Sequence, residues 1–250
     1  MQEIWIRNGE DKIYAQCLMP EKGNGPWPVV LMSHGYGVTH ERLTLYAQRF
    51  AKDGIAAVTY DFCGGGPESK SSRTMLEMSV LTEASDLETV LDWAKGQPDF
   101  DSEKIVLMGG SQGAYVSTVV AGRRPDEIRC MVLLYPGYVL QDAVRDARGV
   151  PEEMLPETFQ ILEHTVSRMF VTDIVKTDIW KCLDAYKGDV LILHGDADDI
   201  VPLAYSRKAL EHFEHAQLRV YEGANHGFTN GYEPRAAEEA LAWLKDELAK

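Results

Sequence analysis

One short stretch of this chain has the residue types and spacing of a nucleophile. Ile105-Val106-Leu107-Met108 is apolar and strand-like, and it runs into Gly109-Gly110-Ser111-Gln112-Gly113, a Gly-x-Ser-x-Gly pattern followed by a helix-compatible segment. A sharp strand-to-helix turn lifts the serine hydroxyl off the sheet edge, and glycines stand where side chains would collide. The helix start then aims free N–H groups and a positive dipole end at the reacting centre. Ser111 is therefore the expected nucleophile for acyl transfer, against the plainer reading of a tight turn with an incidental serine.

An alkyl hydroxyl needs a hydrogen-bonded base near neutral pH. Of the seven histidines, His226 stands in Glu222-Gly223-Ala224-Asn225-His226-Gly227-Phe228, directly after the apolar run Leu218-Arg219-Val220-Tyr221. That puts it at the same strand-end edge as Ser111. His40 is a rival from another loop, while His34 and His194 precede glycines at strand ends, where structural hydrogen bonding is expected. If the order is Ser, acid, His, the acid comes from His194-Gly195-Asp196-Ala197-Asp198-Asp199. Asp198 fits best, with Asp199 the direct competitor and Asp196 behind it; turn and cap chemistry is the alternative for each. Its work would be to orient His226 and to stabilise the imidazolium.

Acyl transfer also needs donors where the tetrahedral oxygen becomes negative. The backbone N–H of Gln112 is one candidate. The second is the Tyr36 N–H in His34-Gly35-Tyr36-Gly37, whose phenol would then line the acyl pocket; a structural glycine turn is the alternative.

These loops need a scaffold. Val29-Val30-Leu31-Met32, Ile55–Tyr60, Ile105–Met108, Met131–Leu134 and Val190–Leu193 are nearly all apolar, which predicts inner strands of a parallel sheet. Amphipathic helical stretches separate them, at Leu87, Val90, Leu91 and Ala94 and at Ala237, Leu241, Leu244 and Leu248. The chain opens on a predicted hairpin with a turn at Asn8–Asp11, followed by a Gly- and Pro-rich loop over 20–28. The expected fold class is α/β, a mostly parallel sheet with helices on both faces, in one domain spanning residues 1–250. Residues 137–185 exceed a simple crossover and are read as a helical insertion, with Phe159, Leu162, Val166 and Phe170 as its apolar stripe.

Composition narrows the rest. A net charge of −14, from 25 basic and 39 acidic side chains, disfavours nucleic acid and anionic membranes as partners. The four cysteines are scattered and read as buried thiols rather than disulfides or zinc ligands. No leader-like or membrane-spanning apolar stretch occurs, so a cytoplasmic location is expected. Nothing in the sequence bears on oligomeric state.

Taken in order, His34-Gly35-Tyr36-Gly37, Tyr60-Asp61-Phe62-Cys63-Gly64-Gly65-Gly66, Gly109–Gly113, His194–Asp198 and Asn225-His226-Gly227-Phe228 resemble the α/β-hydrolase superfamily across almost the whole chain. More narrowly the chain resembles the small bacterial cinnamoyl and feruloyl esterases, which carry a subdomain inserted between sheet strands. The resemblance implies the α/β-hydrolase fold with the 137–185 insertion as a cap. It also implies cofactor-independent hydrolysis of a small ester through an acyl-enzyme, without a metal. Tyr36 stands where those esterases often have Phe. Tyr138, Phe159, Phe170 and Trp180 are candidates for an aromatic-acid pocket, or else pack the insertion onto the core. A serine peptidase of the prolyl-oligopeptidase type, an acyl thioesterase and a non-catalytic hydrolase-fold binding protein remain as alternatives.

Overall fold

A strand covered on both faces has no polar side to alternate, and the apolar runs do become the inner strands of one sheet. The computed structural model describes residues 1–21 and 23–250, so Lys22 of the 20–28 loop lies outside the described residues. β1 (Gln2–Asn8) and β2 (Asp11–Leu18) form the expected hairpin, and β3 (Trp27–Ser33) follows. Next come α1 (Thr44–Lys52), β4 (Ala56–Tyr60), α2 (Val80–Lys95), β5 (Phe100–Gly110) and α3 (Gln112–Arg123). After β6 (Cys130–Leu134) the chain makes α4 (Leu140–Ala143), β7 (Thr158–Ile161), β8 (His164–Ser167), α5 (Arg168–Lys176) and α6 (Ile179–Ala185). It returns through β9 (Asp189–Gly195), α7 (Ala204–Ala209), β10 (Ala216–Tyr221) and α8 (Glu233–Leu248).

The sheet runs β1-β2-β4-β3-β5-β6-β9-β10. β2 meets β4 antiparallel, and every pairing from β4 to β10 is parallel. Two apolar layers sandwich it. Leu87, Val90 and Leu91 of α2 and Val116, Val119 and Val120 of α3 join the core on one face. Tyr46, Ala47 and Phe50 of α1 and Ala237, Leu241 and Leu244 of α8 join it on the other. Parallel strands share one C-terminal edge, so the loops after β3, β5, β9 and β10 emerge side by side. This is the α/β-hydrolase arrangement.

Residues 137–185, expected as a helical insertion, combine helices with a β-hairpin. Phe159, Leu162, Val166 and Phe170 are not one helical stripe. Phe159 and Val166 are cross-strand partners in the β7–β8 hairpin, and the helix that carries Phe170 begins only at Arg168. Leu162 occupies the hairpin turn at φ 50° and is 66% exposed. The hairpin is a separate two-stranded sheet, tied down by its neighbours. The Tyr36 hydroxyl donates to the Ile161 carbonyl at 3.3 Å, and Ser79, the N-cap of α2, donates to Asp173 of α5 at 2.6 Å.

All four cysteines are free, with Cys17, Cys63 and Cys130 buried. No helix among the described residues is long and apolar enough to cross a membrane.

Candidate active site

Ser111 sits between β5 and α3 with φ 53° and ψ −117°, a conformation that costs an L-residue free energy and is retained where the surroundings fix it. Packing explains the constraint. A Cβ on Gly109 would lie 2.4 Å from the Gly113 carbonyl, and one on Gly113 would lie 2.2 Å from the Ser33 carbonyl oxygen. Helix α3 therefore presses directly on β3 and β5, and the turn between them has no room for larger residues. The Ser111 N–H donates to the Leu134 carbonyl at 2.9 Å, and the Ser111 carbonyl accepts from the Gly137 N–H at 2.9 Å.

His226 lies in the short turn after β10. Its Nε2 is 3.2 Å from Ser111 Oγ, and its Nδ1–H donates to Asp198 Oδ2 at 2.8 Å. The ring rests against Tyr135, with centroids 4.7 Å apart. Ser111, His226 and Asp198 thus come from three distant stretches to one edge of the sheet.

The three aspartates differ in their partners. Asp198 Oδ1 accepts from the N–H groups of Ile200 (3.0 Å) and Val201 (2.8 Å), and its side chain is fully buried. Oδ2 faces His194 Nε2 at 3.2 Å as well as His226. Burial pushes this carboxyl up, but bonds from His194, His226 and Val201 outweigh it and hold the pKa well below the usual carboxylate range. Asp196 instead accepts from the Gly223 N–H at 2.7 Å, and Asp199 is exposed.

The other histidines are occupied elsewhere. His194 Nε2 also faces the Val201 carbonyl at 2.9 Å, and its Nδ1 lies 2.6 Å from Ser206 Oγ. His34 Nε2 accepts from the Phe62 N–H at 3.0 Å, and His40 pairs with buried Asp61 at 2.7 Å.

A cleft of about 170 Å³ opens over Ser111 and His226. Its walls include Gly35, Tyr36, Val38, Tyr135, Leu162 and Ile200, so most of the surface is apolar. Arg42 is the one strongly basic side chain in the wall; it donates to the Gly227 carbonyl and pairs with Glu233 at 3.1 Å, which braces the turn behind His226. Burial pushes the Tyr36 phenol up to about 12, so it stays neutral. Tyr36 stands in the cleft wall beside Gly35 and Val38.

Tyr138, Phe170 and Trp180 do not belong to that wall. Tyr138 is fully buried, its hydroxyl 2.8 Å from Thr118 of α3. Phe170 is buried behind Tyr36 at 5.9 Å, and Trp180 stacks on His212 at 4.9 Å. All three pack the insertion onto the core. Sequence reasoning missed Arg42, Val38, Tyr135, Leu162 and Ile200; no motif flags a lone side chain whose only distinction is where its loop lands.

Known proteins share this fold. Residues 8–168, well over half the chain, match the family model described as X-Pro dipeptidyl-peptidase (S15 family). An uncharacterized 31.7 kDa protein in the traX-finO intergenic region of Escherichia coli is 34% identical over 116 residues, 46% of this chain but only 38% of that protein's length. A monoacylglycerol lipase of Mycolicibacterium smegmatis is 24% identical over 89% of this chain and 90% of its own. Among solved structures, the ferulic-acid complex of Est1E from Butyrivibrio proteoclasticus superposes with a TM-score of 0.90 at 21% identity, covering 99% of this chain and 100% of that one. The chain belongs to the X-Pro dipeptidyl-peptidase (S15) family of α/β-hydrolase enzymes.

Proposed function

We propose that the chain hydrolyses carboxylic esters of small or aromatic acids through a Ser111 acyl-enzyme. His226 Nε2 takes the Ser111 proton as Oγ attacks the ester carbonyl, and Asp198 stabilises the imidazolium. The N–H groups of Gln112 and Tyr36 meet the tetrahedral oxygen. His226 then gives the proton to the departing alcohol, and water repeats the sequence on the acyl group. Residues 137–185 act as a cap whose hairpin tip, Leu162, closes one side of the acyl site.

The observation that carries the reading is the apolar cleft lying directly over the Ser111–His226 pair. An apolar cavity of about 150 Å³ is known to hold benzene, so the volume suits a short aliphatic or single-ring acyl group. The fold neighbour that binds ferulic acid and the related lipase support the same direction.

The family match favours a second reading, cleavage after an X-Pro dipeptide. Such a substrate presents an α-ammonium group, which calls for a carboxylate partner. Among the described residues none of those lining the cleft is an Asp or Glu, and its one strong charge is the cationic Arg42. Esters are therefore the preferred class.

The test is a parallel kinetic screen of p-nitrophenyl acetate, methyl ferulate, an acyl thioester and an X-Pro p-nitroanilide, with fluorophosphonate labelling located by mass spectrometry. Ester turnover with Ser111 as the labelled residue supports the proposal. Faster turnover of the anilide, or labelling elsewhere, overturns it.

A further inference from the structure

Beneath the nucleophile turn lies an ionisable group that the proposed chemistry does not use. Glu83, on the first turns of α2, is 1% exposed, and Gln112, the first residue of α3, is 2% exposed. Gln112 Nε2–H donates to Glu83 Oε2 at 2.7 Å. The other oxygen of each side chain, Glu83 Oε1 and Gln112 Oε1, is buried and without a partner. Two orphaned acceptors on groups already joined by one hydrogen bond are costly unless something donates between them. A single proton on Glu83 Oε1 satisfies both: the acid donates to the amide oxygen while the amide donates to the acid, closing a two-bond ring.

We propose that Glu83 is held as a neutral acid paired with the Gln112 carboxamide, and that this pair positions the Gln112 backbone N–H for the oxyanion. Glu83 is a positioning residue, since it acts through Gln112 rather than on substrate. The role in positioning rests on the ester-hydrolysis reading; the protonated pair does not.

The surroundings agree. The ionisable groups facing Glu83 are Asp86 on its own helix, Tyr36 from the loop after β3 and Tyr60 on β4. Arg73 acts on Asp86, but among the described residues no cation acts on Glu83 itself, and Met78 contributes only a sulfur, 3.8 Å from Gln112 Nε2. Burial therefore raises the Glu83 carboxyl well above its ordinary value, against the smaller opposing effect of the Gln112 bond. Asp86, also raised by burial, reaches about 6, because the Cys63 and Asn8 bonds partly offset its burial.

Two measurements test the proposal. Infrared difference spectroscopy of the whole protein at about pH 8, where ordinary carboxyls are ionised, should contain a protonated-carboxyl band that Glu83→Gln removes. No such band, or one that survives the substitution, overturns the neutral pair. An amide at position 83 can still accept from and donate to Gln112, so Glu83→Gln should keep kcat within about threefold of the wild type. Glu83→Leu should lower kcat about 10- to 100-fold with KM little changed, the signature of a misplaced oxyanion donor. Equal loss in both variants overturns the positioning role. If the wild type hydrolyses no ester, the function reading fails while the infrared band still decides the pair.

Discussion

His194 Nε2 stands 3.2 Å from Asp198 Oδ2, the same oxygen that His226 approaches at 2.8 Å. Two imidazoles thus share one acceptor, and only His226 also reaches Ser111. With Ser206 donating to its Nδ1, His194 carries its proton on Nε2 and acts as a fixed strut that stops the carboxylate from turning away.

Asp198→Asn is expected to lower kcat by about four orders of magnitude, because an amide favours the wrong His226 tautomer. Asp199→Asn should stay within about threefold, as the side chain is exposed and outside the network. Steady-state kinetics of the two variants rank them, and the reverse order would reassign the acid.

The Asp198 carboxyl has a depressed pKa in the folded chain. Its contribution to stability is fully present above the ordinary carboxylate value and is lost as pH falls through the folded one. Denaturant titrations below about pH 4 should therefore fall more steeply for the wild type than for Asp198→Asn.

His194→Ala removes a buried side chain and leaves Ser206 and Asp198 each one partner short. A loss of about 2–4 kcal/mol in unfolding free energy is expected. The drop in kcat should be about tenfold, far less than for Asp198→Asn, since the His226 bond remains. A variant as slow as Asp198→Asn would make His194 part of the chemistry.

Leu162→Gly separates binding from stability. The position has φ 50°, which suits glycine, and the side chain is largely exposed, so unfolding free energy should be unchanged or rise by about 1 kcal/mol. With one apolar wall gone, KM for aromatic esters should rise severalfold, about tenfold at most, at near-constant kcat. Unaltered KM would detach the hairpin tip from acyl recognition.

Gly113→Ala is expected to be severe, because its Cβ would lie 2.2 Å from the Ser33 carbonyl oxygen, a backbone atom that cannot yield. Loss of soluble protein, or unfolding about 3 kcal/mol easier, should follow. A stable, active variant would mean that α3 does not press on β3 as tightly as this contact requires.

The scaffold was legible in sequence wherever burial was uniform. Val29–Met32 and Val190–Leu193 lack alternation because both faces are covered, and that pattern belongs to inner parallel strands. Ser111, Asp198 and His226 each follow a strand end, and that placement is what makes them candidates from sequence. The hairpin was not legible. Phe159 and Val166 stand seven residues apart, a spacing that suits a helix face as well as a cross-strand pair. Its turn, Leu162-Glu163, has none of the Gly, Asn or Asp residues that announce a hairpin. Tyr138, Phe170 and Trp180 are candidates because aromatic identity is visible in sequence while direction is not; Tyr138 and Phe170 are buried in the core, and half-buried Trp180 packs at its edge.

The hairpin and the Gly35–Gly37 loop are built against each other. Tyr36 bonds Ile161, and a Cβ on Gly37 would strike the His164 ring at 2.7 Å. Grafting a different hairpin here would therefore also unseat the loop before β4 that carries the Tyr36 N–H, because the two segments hold each other in place.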